Sequence, residues 1–217
     1  MTQRDERALR RQLERYTLRF NDAFWLFWDE EVAPVLPPAP VIVDVGPGPG
    51  LFLRDLSERL PDATLHGVDA NEAMVENARA IDYAGPVPSL VLANVEGSPL
   101  PYDDGSVDLL TMAAVLHGFD DPFSFLREQA ARVLKPDGRM LLFDWFRQPM
   151  REYVERRLIE PGEPEETRYE RALEQFRIHN KYTLDDWLWV FAQSGMRIEA
   201  ETSEPHPFAR VWLLRPE

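Results

Sequence analysis

The sequence predicts an α/β fold: a Rossmann-like, mostly parallel sheet with helices on both faces. Strand-like and helix-like segments alternate from Val41 onward, and this order is typical of a parallel sheet covered by helices. The first strand, Val41–Val45, is rich in β-branched residues, as are strands buried on both faces. Three glycines, at positions 46, 48 and 50, follow this strand. Residues 51–60 then carry apolar residues at the spacing of a packed helix.

The later elements follow from the same periodicities. Further strands are predicted at residues 64–69, 89–93, 107–113, 139–145, 197–202 and 209–214, and further helices at 71–81, 121–134 and 184–194. Asp121 and Thr183 stand where N-caps are needed, and residues 135–138 read as a tight turn before the fifth strand. Hairpin-like spacing around residues 205–207 predicts seven strands in the order 3-2-1-4-5-7-6, with the last strand antiparallel.

Two helical segments lie outside this alternation. Residues 1–40 precede the first strand and carry an aromatic run at 20–28, and residues 146–182 contain two charged, amphipathic helix candidates. The second candidate, residues 165–178, places Tyr169, Leu173 and Phe176 on one face. Since no repeat or second domain is visible, we predict a single domain over residues 1–217, in which both segments form a substrate cap.

Composition narrows the classes of function. The formal net charge of −14 disfavours a nucleic-acid partner, and the arginines at 7, 10, 11 and 15 alternate with acids as on a solvated helix face. The chain has no cysteine, which excludes disulfides and thiolate catalysis. No apolar run is long enough to span a membrane, and the first residues are charged, so we expect a cytoplasmic protein.

Two acids accompany the glycine turn. Asp44 stands two residues before Gly46, and Asp69 ends the second strand. A carboxylate at the end of that strand is placed to accept hydrogen bonds from both hydroxyls of a ribose, and amide N–H groups at the start of the following helix face such a ligand. The alternative for each acid is a solvated carboxylate at the edge of a strand.

This pattern resembles the class I S-adenosylmethionine-dependent methyltransferases, small-molecule type, with a methyltransferase type 11-like domain. Residues 90–96, 102–110 and 132–139 are similar to later motifs of that family, so the resemblance covers residues 41–214. It implies S-adenosyl-L-methionine as cofactor, held by Asp44, Gly46, Gly48, Gly50, Asp69, Ala70, Asn94, Val95 and Ala113. Asn94 departs from the family, which commonly has an acid there, but its amide oxygen still accepts a hydrogen bond.

Methyl transfer needs a general base only if the nucleophile must lose a proton. His117, four residues past Ala113, and Asp144, near the end of the fifth strand, are the catalytic candidates, because ligands meet the carboxyl ends of parallel strands. The alternatives are packing against the cofactor for His117 and a buried acid bonded to backbone for Asp144. His66 reads as structural, and the scattered histidines give no metal-ligand spacing, so no metal is expected.

Substrate contacts are predicted from the two extra segments. Tyr169 and His179 lie in the predicted cap, and Trp25 and Trp28 belong to the aromatic run. For the tryptophans, burial in the core or a homodimer contact is the competing interpretation.

Three functions remain open at this point. The first is methyl transfer to a small molecule, and the second is a cyclase or decarboxylase of the same fold that binds the cofactor without transferring its methyl group. The third, a nicotinamide-dependent oxidoreductase, is disfavoured by the glycine spacing and by the lack of a Tyr-x-x-x-Lys pair. The acceptor atom, whether O, N, C or S, is not defined by the sequence.

Overall fold

The computed structural model describes residues 16–96, 98–159 and 165–217, and its strands form one seven-stranded sheet. The strands are β1 Val41–Val45, β2 Thr64–Asp69, β3 Ser89–Leu92, β4 Val107–Ala113, β5 Leu134–Trp145, β6 Met196–Thr202 and β7 Ala209–Pro216. Their order is β3-β2-β1-β4-β5-β7-β6. The pairs from β3 to β5 are parallel, whereas β7 runs antiparallel to both β5 and β6. The predicted order and the antiparallel last strand are confirmed.

Helices cover both faces of the sheet. They are α1 Asp22–Phe27, α2 Leu51–Arg59, α3 Glu72–Arg79, α5 Met150–Ile159, α6 Glu165–His179 and α7 Leu184–Gln193, and α4 comprises the consecutive pieces Pro122–Ser124, Phe125–Ala130 and Ala131–Val133. One apolar cluster joins the sheet to α1, α2 and α3, and another joins it to α4 and α7. No helix in the described part of the chain has the length and apolarity that a membrane span requires. The cytoplasmic location stays a prediction.

Strand β5 begins earlier than predicted. Leu134 is buried and pairs with Val107, and the register then jumps to Leu109 opposite Arg139. Residues 135–138, expected to be a turn before the strand, therefore loop out as a bulge within it. Gly138 fits this bulge because a Cβ there would lie 2.8 Å from the carbonyl oxygen of Val107.

The aromatic run packs into the core. Phe20 stacks on Phe52 of α2 with ring centroids 4.6 Å apart, and Trp28 is only 1% exposed. Trp28 thus lies in the core of this chain. The core interpretation of this residue is confirmed, as expected for an aromatic stripe at helical spacing.

Residues 146–182 form a helical pair with an apolar cluster of its own. Tyr153 and Val154 of α5 pack against Ala172 and Phe176 of α6. Leu173 packs at the edge of this cluster, whereas Tyr169 on the same helix is 56% exposed. The arginine face at residues 7–15 lies outside the described residues.

The close packing around Gly67 in β2 supplies a test of the fold. A Cβ at Gly67 would lie 2.7 Å from Leu90 Cδ2, 3.0 Å from Pro47 Cγ and 3.1 Å from Leu53 Cδ1. We expect Gly67→Ala to lower the free energy of unfolding by about 1–3 kcal/mol, measured by urea denaturation, because the site is already filled. Gly85→Ala is the matched control, and its effect should stay below about 0.5 kcal/mol. Equal effects of the two substitutions would contradict the packing.

Candidate active site

The turn between β1 and α2 shapes the centre of the site. Gly46 and Gly48 have φ angles of 75° and 54°, in the left-handed region that favours glycine. A Cβ at Gly46 would lie 2.5 Å from Val115 Cγ2, so the turn presses against the segment after β4. Nothing lies within 4 Å of a Cβ built at Gly48. The backbone there is open to a ligand.

A cavity of about 320 Å³ opens at the carboxyl ends of β1, β2 and β4. Its volume lies in the range of small-molecule sites, about 300–1,000 Å³. Seven of the nine predicted cofactor residues line it: Gly46, Gly48, Asp69, Ala70, Asn94, Val95 and Ala113. The structure therefore brings most of the predicted set together around one space.

Asp69 lies on the cavity wall with its carboxylate fixed from two sides. Oδ2 accepts a hydrogen bond from Gly48 N at 3.0 Å, and Oδ1 accepts one from Asn71 N at 2.8 Å. Burial raises the pKa of this carboxyl, and the backbone donors oppose that rise. Each oxygen keeps acceptor capacity, so the group fits a pair of ribose hydroxyls.

Asn94 and Val95 follow β3 on the same wall. Asn94 Oδ1 accepts a hydrogen bond from Glu96 N at 3.1 Å, and Val95 is buried beside it. Ala93 N donates to the carbonyl oxygen of Asp69 at 2.9 Å, which ties this segment to the end of β2. Asn94 and Val95, which the resemblance assigns to the cofactor site, thus lie beside Asp69, the predicted ribose acceptor.

Asp44 and Gly50 are absent from the cavity wall. Asp44 is 3% exposed and accepts a hydrogen bond from Thr111 Oγ1 at 2.7 Å. Burial, and secondarily the charge of Asp69, raises the pKa of Asp44 to about 7, against the lowering effects of Thr111 and Arg19. Gly50 precedes α2 with a φ of 83°. Both residues flank the glycine turn without lining the cavity, and their contact with the cofactor stays a prediction.

Sequence reasoning missed several residues of the wall. Arg19 and Phe20 reach the cavity from the N-terminal segment, Met74 from α3, and Phe119 from the loop after β4. Arg19 brings a cation next to the carboxylates of this region. No pattern in the sequence marks Arg19 because it precedes the alternating core, whereas Phe119 lies only two residues past the predicted His117.

Asp144, His117 and His179 form a chain of hydrogen bonds beside the cavity. Asp144 is fully buried, and its Oδ1 lies 2.5 Å from His117 Nδ1. Asp144 also accepts from the backbone N of His117 at 2.9 Å and of Trp145 at 2.7 Å. His117 Nε2 lies 2.7 Å from His179 Nδ1, at the end of α6. The two predicted catalytic residues are therefore in direct contact with one predicted substrate residue.

The segment after α6 connects the insertion, residues 146–182, to the cavity wall through hydrogen bonds. Lys181 Nζ donates to the carbonyl oxygens of Gly118 and Phe119, at 3.0 and 3.2 Å. Tyr182 Oη also donates to the carbonyl oxygen of Phe119, at 3.2 Å. Since Phe119 lines the cavity, the end of the insertion is held directly against the site.

The other predicted substrate residues, Trp25 and Tyr169, do not line the cavity. Trp25 packs on Phe24 and Phe52, with the Arg59 guanidinium 3.9 Å from the centre of one of its rings. Tyr169 is exposed on α6. His66 lies within β2 against Tyr102, and burial lowers its pKa, as suits a structural residue. Within the three described ranges, no group of three or more His, Asp or Glu residues is arranged to hold a metal ion.

Residues 43–142 match the family model described as Methyltransferase domain. This segment runs from β1 into β5 and contains most of the cavity wall. Residues 43–142 thus carry a methyltransferase domain, the chain has the fold of class I S-adenosylmethionine-dependent methyltransferases, and the domain implies S-adenosylmethionine as cofactor. The resemblance found in the sequence is confirmed.

The curated relatives differ in what their names say they methylate. The chain is 34% identical over 105 residues to an uncharacterized methyltransferase of Bacillus subtilis, covering 48% of this chain and 40% of that protein. It is 35% identical over 89 residues to the 27-O-demethylrifamycin SV methyltransferase of Amycolatopsis mediterranei, 41% of this chain and 32% of that one. A tRNA (guanine-N(7)-)-methyltransferase of Streptococcus pyogenes is 28% identical over 100 residues, 45% of each. The matches span less than half of each relative.

Solved structures extend the likeness to the whole fold. The complex of the Haloferax volcanii Trm112 methyltransferase activator with a putative methyltransferase matches with a TM-score of 0.71 at 18% identity, covering 97% of this chain and 94% of that one. A SAM dependent methyltransferase from Aquifex aeolicus matches with a TM-score of 0.64 at 20% identity, covering 91% of each chain. At these identities the likeness defines the fold.

The raised pKa of Asp44 predicts a pH-dependent stability. An unfolded aspartate ionises near pH 3.8, whereas folded Asp44 keeps its proton until about pH 7, so ionisation destabilises the fold as the pH rises through this window. Asn retains the acceptor for Thr111 without the charge. At pH above 7, Asp44→Asn should raise the free energy of unfolding by up to about 4 kcal/mol, since each pKa unit is worth about 1.4 kcal/mol.

The measurement is chemical denaturation of both proteins at mildly acidic and mildly alkaline pH. The gain of the Asn variant should shrink as the pH falls toward 4, because both proteins are then uncharged at this position. Asp62→Asn, at an exposed acid, controls for the general effect of removing a negative charge. An Asn variant that is less stable than the parent at alkaline pH would overturn the assignment.

Proposed function

We propose that the protein transfers the methyl group of S-adenosylmethionine to a small molecule. The observation that carries this proposal is that two segments outside the alternating core meet at the edge of the sheet where the cavity opens. Asn21 Nδ2, just before α1, donates to the carbonyl oxygen of Pro205 at 3.0 Å, and Arg156 of α5 lies 3.9 Å from the ring centre of Phe208. Both segments therefore meet the loop between β6 and β7, which lies at the same end of the sheet as the cavity.

The cap is this pair of segments, residues 1–40 and 146–182, within a single domain of 217 residues. Arg19 and Phe20 bring the first segment to the cavity wall, and His179 and Lys181 bring the second segment to the loop after β4. A cap excludes water around the reacting atoms and fixes the approach of the acceptor. Trp25 and Tyr169 keep their proposed role at its outer part. A homodimer through exposed Leu18 and Leu26 of the first segment is the competing use of this surface.

The cofactor occupies the cavity in this proposal. Asp69 accepts from the ribose hydroxyls, Asn94 and Val95 meet the adenine, and the turn at Gly46 and Gly48 receives the methionine part. Arg19 is placed to pair with a carboxylate, and the methionine part carries one. When bound, S-adenosylmethionine supplies a methyl group that is already activated on a sulfonium.

Catalysis is then mainly positioning of the acceptor behind that methyl group. Asp144 and His117 are the proposed catalytic pair for an acceptor that must lose a proton. Their buried hydrogen bond fixes the orientation of the imidazole ring.

An RNA acceptor is the main rival, since one relative is named as a tRNA methyltransferase. The net charge of −14 disfavours it, because a phosphate backbone would be repelled before reaching the cap. A cyclase or decarboxylase would use the same cofactor cavity. Transfer of label from methyl-labelled S-adenosylmethionine separates these classes. We expect the label in small molecules of a cell extract; label confined to the RNA fraction, or no transferred label, would reject the proposal.

The role of Asp69 is tested by binding. We expect Asp69→Ala to weaken the affinity for S-adenosylhomocysteine by about 1.5–3 kcal/mol, the range for hydrogen bonds to a charged group. Isothermal titration calorimetry measures the change, with Asp62→Ala as a control at an exposed acid. Circular dichroism first shows that both variants are folded. An unchanged affinity in folded Asp69→Ala removes Asp69 from the cofactor site.

A further inference from the structure

The side chain of Asn94, just after β3, is fixed by a nearby backbone group. Its Oδ1 accepts a hydrogen bond from Glu96 N at 3.1 Å. Because a backbone N–H can only donate, the atom on that side of the amide is the oxygen, and Nδ2 lies on the other branch. Asn94 lines the cavity, so this fixed amide belongs to its wall.

Neither of the neighbouring acids takes the place of Asn94 on the wall. Glu96, the next acid along the chain, does not line the cavity, and its Oε1 accepts a hydrogen bond from Asp120 N at 2.5 Å. Asp69 does line the cavity, but two backbone N–H groups hold its oxygens at the end of β2. The polar side chain that the wall offers beside β3 is therefore an amide.

An amide differs from a carboxylate in the groups that it can recognise. A carboxylate only accepts hydrogen bonds, whereas an amide has two N–H donors and an oxygen with two lone pairs, of which Glu96 N uses one at Asn94. An amino group at C6 of a purine donates, and an oxo group at C6 accepts. The amide can pair with either group, while a carboxylate pairs with the first and repels the second.

The apolar part of the same wall recognises shape. Val68, Met74 and Val95 line the cavity and are at most 6% exposed. Such side chains contact the flat faces of a purine ring and do not distinguish the groups at C6. The distinction between a 6-amino and a 6-oxo group therefore depends on Asn94.

We propose that Asn94 pairs with either an amino or an oxo group at C6, so that the protein binds both the adenosyl cofactor and its deaminated, 6-oxopurine form. This inference rests on the placement of the adenine at Asn94 and Val95 in the proposed function and deepens it. Asn94 is then the residue that sets the purine specificity, separate from Asp69, which holds the ribose of both forms. The ligand class is a purine nucleoside joined through sulfur at its 5′ carbon to an amino acid.

Binding tests the inference without any acceptor. Isothermal titration calorimetry at neutral pH measures the affinities for S-adenosylhomocysteine and for S-inosylhomocysteine, in which an oxo group replaces the 6-amino group. Each variant is compared with the unaltered protein for one ligand at a time, so that the effects of other differences between the two purine rings cancel. Circular dichroism first shows that every variant is folded.

Two substitutions at position 94 should give different patterns. Asn94→Leu removes the donor and the acceptor at similar volume, and we expect it to weaken the binding of both ligands to a similar extent, by about 2–10-fold. Asn94→Asp keeps the acceptor for Glu96 N but offers no donor. We expect it to strengthen the binding of S-adenosylhomocysteine and weaken that of S-inosylhomocysteine, so that the ratio of the two affinities rises about tenfold or more.

Asn71→Asp is the matched control for the added negative charge. Asn71 also lines the cavity, and its Oδ1 accepts from the backbone N of Ala73 and of Met74 as the N-cap of α3, a role that aspartate also fills. The two ligands carry the same charges, so we expect this variant to change the ratio of their affinities by less than about twofold.

Each outcome separates this inference from the proposed function. If Asn94→Leu weakens only S-adenosylhomocysteine, or if Asn94→Asp changes both affinities alike, Asn94 does not pair with both groups and the inference is overturned, while methyl transfer stands. Binding of S-adenosylhomocysteine without any binding of S-inosylhomocysteine by the unaltered protein overturns it as well. Failure to bind either ligand rejects the cofactor site of the proposed function itself.

Discussion

The buried carboxylate of Asp144 is the constraint on which the architecture of the site depends. A charge without solvent must be satisfied by donors, and two backbone N–H groups and one imidazole meet this need. Those donors fix the loop after β4, which supplies Val115 and Phe119 to the cavity wall. They also orient His117 toward α6. A single acid in β5 thus orders part of the cavity wall and, through His117, the contact with α6.

The parts of the fold that could be predicted are those in which local pattern and tertiary structure agree. The β-branched run at Val41–Val45, the glycine turn and Asp69 each carry a short-range signal, and each lies where it was expected. The bulge in β5 had no such signal, because the residues from Lys135 to Gly138 are equally typical of a tight turn. Only the pairing of buried Leu134 with Val107, a contact distant in sequence, places it inside the strand.

The residues of the site that follow the strands could be predicted, but those from the segments outside the alternating core could not. Cofactor positions follow the ends of strands, which the alternation of elements brings to one edge. Arg19 comes from a segment without that alternation, so its approach to the cavity depends on tertiary packing alone. His117 shows the same limit. It follows β4 as expected, but the sequence carries no sign that its Nε2 lies 2.7 Å from His179 Nδ1.

The separate apolar cluster of α5 and α6 has an evolutionary consequence. Tyr153, Val154, Ala172 and Phe176 bury their side chains against one another rather than in the sheet. Mutations that reshape this helical pair therefore cost little stability in the domain that holds the cofactor. Lineages can replace the pair, as they replace a surface loop, while the sheet and the cavity beneath it are inherited unchanged.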